Sequence, residues 1–510
     1  MRPGSSSVVL RAAGERRRAR VAMVTLAAAV AAGVGGCTLG PAYQPPAAPV
    51  AEHWIERGST EIDATTPVAP LWWEQAFADP LLDELVAIAL EQNLSLRSAT
   101  LRMMQSQQQL AIAVGNQFPQ VQQLTGSAAR FKASNLIVEE YDIGFNLSWE
   151  LDMWGRFRGE VRSAAAAMDA SVAEYDGVLV SVVAQVAQVY IQIRTTQNRL
   201  DVARQNIELQ AESLRIARAK ANAGEVSDLD AEQAESLLYN TKAIVPGLET
   251  TLQQLENALA VLLGQPPGAL GVSLAPLTAI PRVPPAVAVG MPQDLLRQRP
   301  DIRAAERLLA AQGAQIGVAR AELYPAFSIA GAIGSQAMDV GNLFEGETET
   351  WSIGGGFAWN LFNYGRLRSN VRLQDARFQQ LLEDYRQTVL EAQADAENAI
   401  VAYLKSQQQL VMIERAAAAS RRSVALSTAQ YTNGLVGFNT VINTLTADAN
   451  QQDQLAQTRG AVAANLVQVY RALGGGWQVR AELSPVELVP PETRKEMQQR
   501  TGSWHKVFRE

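Results

Sequence analysis

The chain has 510 residues, a net charge of −7, 19% charged residues and a single cysteine. We find no apolar run approaching the ~18 residues that a transmembrane helix needs, so membrane insertion is expected to use strands. Residues 1–36 carry a charge of +5 and the rest of the chain −12, which disfavours nucleic acid as a partner.

Residues 1–36 are predicted to be an export signal peptide. A basic segment is followed by the apolar residues 21–34 and then by small residues before Cys37. The stretch Val34-Gly35-Gly36-Cys37 resembles the lipobox of bacterial lipoproteins. This resemblance implies cleavage before Cys37 and acylation of the cysteine, for example with palmitate. The alternative is an incidental cysteine after an ordinary signal sequence.

Helices are predicted after a proline-rich segment. Residues 38–70 contain six prolines and are expected to form an extended strap. Asp79-Pro80 is the pattern of a helix N-terminus, with Asp79 as N-cap and Pro80 as the first helical residue. A second helix is predicted over residues 93–114.

Alternating residues predict strands that could cross a membrane. Tyr141, Phe145 and Trp149 lie in an alternating segment of nine residues with aromatic ends, which matches a transmembrane β-strand. Similar segments follow residue 119 and cover residues 327–334 and 351–359. Four strands cannot close a barrel, and an open sheet edge is not tolerated in lipid. If these strands enter a membrane, several chains must share one barrel; the alternative is a half-buried strand of a soluble sandwich.

Two very long helices are predicted, each followed by a returning helix. Residues 366–433 contain neither glycine nor proline and show helical periodicity, which corresponds to a helix of roughly 100 Å. Residues 156–223 form the first such helix, ended by Gly224. Returning helices are expected from about residue 227 and, in the second half, after Gly434.

The chain is a duplication. Trp149-Glu150-Leu151 aligns with Trp359-Asn360-Leu361 at an offset of 210, and Phe118-Pro119 aligns with Tyr324-Pro325 at an offset of 206. The two copies cover about residues 93–264 and 299–474. The change in offset falls between residues 119 and 141 in one copy and between 325 and 351 in the other, where we expect surface loops.

Four motifs together resemble the outer-membrane factor family of tripartite efflux systems, the TolC-type proteins, and within it the lipidated NodT-type branch. The match covers about residues 37–477. The motifs are Trp72-Trp73 with Asp79-Pro80, Trp149-Glu150-Leu151-Asp152 with Trp154-Gly155-Arg156, Leu295-Leu296-Arg297-Gln298-Arg299-Pro300-Asp301-Ile302, and Arg471-Ala472-Leu473-Gly474-Gly475-Gly476-Trp477.

The resemblance implies a mainly α fold with a small membrane β part. In it, a duplicated unit of strands and very long antiparallel helices assembles as a homotrimer, with a twelve-stranded β-barrel joined to a periplasmic α-barrel. The implied partners are a periplasmic adaptor protein, an inner-membrane pump and outer-membrane lipid. The expected domains are a signal peptide (1–36), a lipidated strap (37–70), a first repeat (71–264), a linker (265–298), a second repeat (299–477) and a C-terminal tail (478–510).

The same resemblance implies a periplasmic gate at the tips of the long helices. Gly224 and Gly434 correspond to the turns that contact the adaptor, Asp230 to an acidic gate position with Asp228 beside it, and Tyr431 to a gate tyrosine. The second copy departs from the family pattern: Thr440 and Asn443 stand where relatives have aspartates, and Val436 replaces a basic partner. The expectation is therefore a charged ring made by Asp228 and Asp230 alone. Alternatively, the two aspartates only stabilise the start of the returning helix through its dipole.

The expected function is a passive duct that exports small molecules such as drugs across the outer membrane. No catalytic residue, metal site or cofactor is expected, because the two histidines lie near the chain ends and we find no G-x-S-x-G, P-loop or dinucleotide pattern. Two alternatives are a lipid-anchored coiled-coil scaffold without a pore and a duct for polypeptide secretion.

Overall fold

The computed structural model of the protein describes residues 39–134, 136–274, 279–284, 286–480 and 483–508. The predicted signal peptide and Cys37 lie outside these residues. The described residues divide into two compact units: residues 39–46, 105–170 and 305–385 form the first, and those within 47–104, 171–304 and 386–508 form the second. In chain order the elements are β1 (Ile62–Asp63), α1 (Trp72–Phe77), α2 (Pro80–Gln92), α3 (Leu94–Gly115), β2 (Val121–Ala133), β3 (Leu136–Leu151), α4 (Arg156–Asn222), α5 (Asp228–Leu262), β4 (Val287–Ala288), α6 (Leu295–Gln298), α7 (Pro300–Ala321), β5 (Ala326–Ala337), β6 (Glu349–Ala358), α8 (Arg366–Thr432), α9 (Phe438–Ala472), α10 (Pro491–Arg500) and α11 (Trp504–Val507).

The first unit contains an antiparallel sheet with the strand order β2-β3-β5-β6. Its strands are 10 to 16 residues long, enough to cross a bilayer. β3 begins five residues before the alternation that predicted it, and these first residues pair with β2 but not with β5. Within the described chain, β2 pairs only with β3 and β6 only with β5, so each keeps one open edge.

The helices of the two copies match in length. α4 and α8 have 67 residues each, α5 and α9 have 35 each, and α3 and α7 have 22 each. The predicted duplication of strands and very long helices is therefore confirmed. The predicted helix start at Asp79 is also found, since its carboxylate accepts a hydrogen bond from the Leu81 amide at 3.1 Å.

The core of the second unit lies along α4. Val186, Tyr190 and Ile191 are completely buried, and the Tyr190 hydroxyl donates to Asp79 at 2.6 Å. Burial, followed by this bond, raises the pKa of Tyr190 to about 12. An 18-residue window of α4 is apolar enough to cross a membrane by composition, so our statement that no such segment exists was wrong. Sixty-one per cent of this window is buried inside the protein, as in a packed core helix.

The strap is held by the second unit through residues beyond Pro46. Trp54 is 2% exposed, and its indole N–H donates to the Gly290 carbonyl at 2.7 Å. β1 pairs in parallel with β4 of the linker. The amide of Ala51 donates to the Gln393 side chain at 2.8 Å. The strap is therefore tied both to the linker and to α8.

The C-terminal tail is folded, where the sequence offered no element. It forms α10 and α11 after the 3₁₀ turn at Trp477–Arg480. The Arg480 guanidinium donates to the Asp176 carboxylate at 2.5 and 3.0 Å, and Arg303 donates to it at 3.2 Å. Arg303 also lies 4.3 Å from the Trp477 ring centroid. A buried carboxylate on α4 thus holds both α7 and the start of the tail.

Asp176→Asn is expected to destabilise the second unit by about 3 to 5 kcal/mol, because Asp176 is completely buried and its loss leaves two arginines without their anion. The measurement is the midpoint of thermal unfolding together with proteolysis of the tail. Asp169→Asn is the control: its ion pair with Arg307 spans 3.9 Å at exposed positions, and its loss should change stability by less than about 1 kcal/mol. Equal effects of the two substitutions would contradict the role given to Asp176.

Candidate functional site at the helix tips

The long helices turn at two glycines with left-handed backbone. Gly224 has φ +72° and Gly434 φ +70°. In the first turn the Glu225 amide donates to the Lys220 carbonyl at 3.0 Å, and in the second the Leu435 amide donates to the Gln430 carbonyl at 2.9 Å. These bonds close the helix ends as in a Schellman motif. Both predicted tips are therefore tight turns built in the same way.

The two returning helices begin differently. Ser227 caps α5, since its hydroxyl accepts a hydrogen bond from the Leu229 amide at 3.2 Å, and Asp228 and Asp230 lie in the first turn. α9 begins after Gly437, which supplies no side-chain cap, and its first turn has no acidic residue. Carboxylates are favoured at a helix N-terminus, so only the first tip uses this stabilisation.

Tyr431 of α8 and Asp230 of α5 are joined by a hydrogen bond. The Tyr431 hydroxyl donates to Asp230 Oδ2 at 3.0 Å, Tyr431 is 3% exposed, and Asp230 is half-buried. Burial, followed by the bond to Asp230, raises the pKa of Tyr431 above its ordinary value. Tyr431 therefore remains a donor at neutral pH, and the bond ties the first hairpin to the second.

An apolar cluster surrounds this bond. The Tyr431 and Phe438 rings lie 5.0 Å apart, and the Lys220 ammonium lies 5.7 Å from the Tyr431 ring centroid. Lys220 also pairs with Glu225 at 2.9 Å. The buried members of the cluster come from α4, α5, α8 and α9: Leu214, Ala217, Ala234, Leu238, Val424, Tyr431, Phe438, Val441 and Leu445.

The other predicted site residues are not brought into this contact. Asp228 is exposed on the first turn of α5, and Thr440 and Asn443 are exposed on α9. Val436, in the position of the family's basic partner, packs against the apolar cluster. The structure thus joins Asp230 to Tyr431 and leaves Asp228, Thr440 and Asn443 facing outward from the described chain.

Two further polar links were missed by the sequence analysis. Arg199 of α4 pairs with Asp453 of α9 at 2.7 Å, which is a second cross-link between the hairpins. Asp448 of α9 is 1% exposed; it accepts from Ser420 at 2.8 Å and lies 3.2 Å from the Arg421 guanidinium. No local pattern announces these pairs, because each joins positions far apart in the sequence.

Among the described residues, no group of three or more histidine, cysteine, aspartate or glutamate side chains is placed to hold a metal ion. In the described part of the chain, β2 and β6 each keep one open edge, and a sheet in a membrane must be closed. This is the fold of a membrane-protein subunit whose sheet is completed by further chains.

Comparisons with known proteins identify the family. The family described as "Outer membrane efflux protein" matches residues 85–265 and 291–475, and the chain belongs to it. The pyoverdine export outer membrane protein OpmQ of Pseudomonas putida is 32% identical over 419 residues, covering 80% of this chain and 88% of the relative. Nodulation protein T of Rhizobium leguminosarum bv. trifolii is 30% identical over 406 residues, covering 79% and 86%. The solved structure of the outer-membrane channel OprN has a TM-score of 0.82 at 33% identity, covering 87% of this chain and all of that one.

These findings confirm the predicted family, fold class and function. The protein is the outer-membrane channel of a tripartite efflux system, a homotrimer that works with a periplasmic adaptor and an inner-membrane pump. Its place is the outer membrane, from which it extends into the periplasm.

Gly224→Ala is expected to destabilise the first tip by about 1 to 2 kcal/mol, because alanine is strained at φ +72° although no atom lies within 4 Å of the added carbon. Gly247→Ala is the control within helix α5, where the added carbon is also free; it should stabilise the helix by about 0.5 to 1 kcal/mol. Hydrogen exchange of the amides around residue 224 measures the first effect, and exchange of the amides around residue 247 measures the second. A Gly224→Ala protein with unchanged exchange would contradict the strained-turn argument.

Proposed function

We propose that the closed state of this channel is held by the bond between Tyr431 and Asp230. The observation that carries the proposal is the buried tyrosine hydroxyl on one hairpin that donates to the carboxylate on the other. Opening requires the hairpins to separate at the tips, so this bond must break. The pair between Arg199 and Asp453 is the second restraint, located further along the helices.

The aspartates serve two roles in this proposal. Asp230 accepts the hydrogen bond from Tyr431. Asp228 is exposed, so its carboxylate adds negative charge to the periplasmic opening of the channel. Three chains repeat the pair, which gives a ring of carboxylates that favours cations. Thr440 and Asn443 contribute polarity without charge. Gly224 and Gly434 shape the turns that would contact the adaptor.

We further propose a lipid anchor at Cys37 and the domain boundaries given above. The sequence at residues 34–37 supports cleavage and acylation, and Nodulation protein T is among the relatives. The two family matches fall within the proposed repeats 71–264 and 299–477, apart from a few residues at the linker. The signal peptide, strap, linker and tail complete the division.

The transported substances are proposed to be small molecules, drugs included, and the chain to have no catalytic activity. OpmQ carries pyoverdine export in its name, which supports a small-molecule cargo over polypeptide secretion. Membership in the efflux family argues against the hypothesis of a lipid-anchored scaffold without a pore. The substrate is selected by the pump, so the channel itself needs no specific pocket.

Tyr431→Phe is expected to raise the ratio of open to closed channels by about ten- to a hundredfold, since a hydrogen bond to a charged group contributes about 1.5 to 3 kcal/mol and each 1.4 kcal/mol is about a factor of ten. Single-channel recording in planar bilayers measures this ratio. Tyr239→Phe is the matched control, because Tyr239 lies nine residues beyond Asp230 on α5, is 56% exposed and lies outside the apolar cluster; it should behave as the unsubstituted protein. Asp230→Ala should also lower the preference for cations. Unchanged conductance and selectivity in Asp230→Ala would refute the gate assignment.

Cys37→Ser is expected to abolish the acyl modification. Native mass spectrometry of the protein that retains Cys37, extracted from outer membranes, should show three copies. Each copy should begin at residue 37 and carry added acyl mass. The variant should lack that mass. Identical masses apart from the substituted atom would show that Cys37 is not acylated.

A further inference from the structure

The duplication gives every contact between the two repeats a counterpart position elsewhere in the chain. One such contact lies where β3 of the first repeat meets β5 of the second. The Trp154 and Tyr324 rings stack with centroids 4.8 Å apart, and the Trp154 indole donates to the Pro325 carbonyl at 2.8 Å. This pair closes the end of the sheet at the junction of the repeats.

The two repeats make the same hydrogen bond at this end of the sheet. Trp149 donates its indole N–H to the Gln117 carbonyl at 3.2 Å, and Trp359 donates to the Leu323 carbonyl at 3.0 Å. The two tryptophans differ by the offset of 210 and the two carbonyls by the offset of 206. Equivalent residues therefore make equivalent bonds at the base of both hairpins.

The same offsets assign the counterparts of the stacked pair. Trp154 corresponds to Tyr364, and Tyr324 corresponds to Phe118. Within one chain these two aromatic residues do not meet: Tyr364 is fully exposed at 104%, and Phe118 is 61% exposed. They follow β6 and precede β2, the two strands that each keep an open edge.

We propose that Tyr364 of one protomer stacks on Phe118 of the next, so that the junction between protomers repeats the junction between repeats. Because lipid does not tolerate an open strand edge, β6 must pair with β2 of a neighbouring copy. That pairing brings the residues after β6 to the residues before β2, as the pairing of β3 with β5 brings Trp154 to Tyr324. The occupant of this exposed aromatic patch is a second copy of this chain.

A neighbouring helix face supports the same occupant. Val318 of α7 lies against Gly159 of α4, so closely that a carbon added to the glycine would be 2.8 Å away. The counterpart of Val318 is Ile112 of α3, which is 65% exposed in one chain. The counterpart of Gly159 is Ser369, so a side chain stands where the junction between the repeats has only a hydrogen atom.

The test is thiol cross-linking of the assembled trimer with a short bis-maleimide. Phe118→Cys combined with Tyr364→Cys should give covalent dimers and trimers in a denaturing gel. The matched control, Trp154→Cys combined with Tyr324→Cys, should give only cross-links within one chain and no covalent oligomer. Each single variant should remain monomeric in the gel, which also measures any contribution of Cys37.

A double variant that is trimeric by native mass spectrometry but forms no covalent oligomer would overturn the proposal. If the double variant does not assemble, p-benzoylphenylalanine at position 364 keeps an aromatic ring there. Its photo-adduct is expected on the tryptic peptide 103–130 of another protomer. An adduct on a different peptide, or on lipid, would equally overturn the proposal.

Discussion

The structure depends on one constraint: a backbone amide or carbonyl in lipid must have a partner. Among the described residues, the four strands of one chain satisfy this requirement along their inner edges and leave it unmet along the outer edges of β2 and β6. The long helices satisfy their own backbone groups without help from another chain. Trimerisation is therefore a condition for the sheet to exist in the membrane, whereas each helical hairpin is complete within its own chain.

Duplication supplies the four strands as two from each copy, but the two copies have since diverged. The first tip has a serine cap and two carboxylates, and the second has a glycine cap and none. The second copy instead supplies the buried tyrosine that the first copy's aspartate requires. Neither hairpin could form the cross-link with a copy of itself. Divergence has turned two equivalent hairpins into a donor and an acceptor.

Local patterns predicted most of the fold. The turn glycines, the helix start at Asp79 and the alternation in β3 each record a local physical requirement, and each was read correctly. The start of β3 was missed because Leu136, Ile137 and Val138 are uniformly apolar and do not alternate. The helices of the tail have no counterpart in the repeats and little apolar periodicity, so nothing in the sequence marked them.

The site could be located but not assembled from the sequence. Gly224 and Gly434 fixed where the tips lie, and the family resemblance supplied Asp230 and Tyr431 as separate residues. That these two share a hydrogen bond, and that Arg199 meets Asp453, depends on how four helices are packed. Partners separated by some two hundred positions leave no trace in a local pattern.

The equal lengths of α4 and α8 limit the insertions and deletions that this sequence can tolerate. Inserting one residue in α4 alone would advance Gly224 by about 1.5 Å and rotate it by about 100° relative to Gly434, which would separate the tyrosine from its aspartate. The bond between Tyr431 and Asp230 is therefore kept only if α4 and α8 change length together, by about seven residues at a time. The loops between the strands are not constrained in this way, and the change in offset from 206 to 210 lies in that part of each copy.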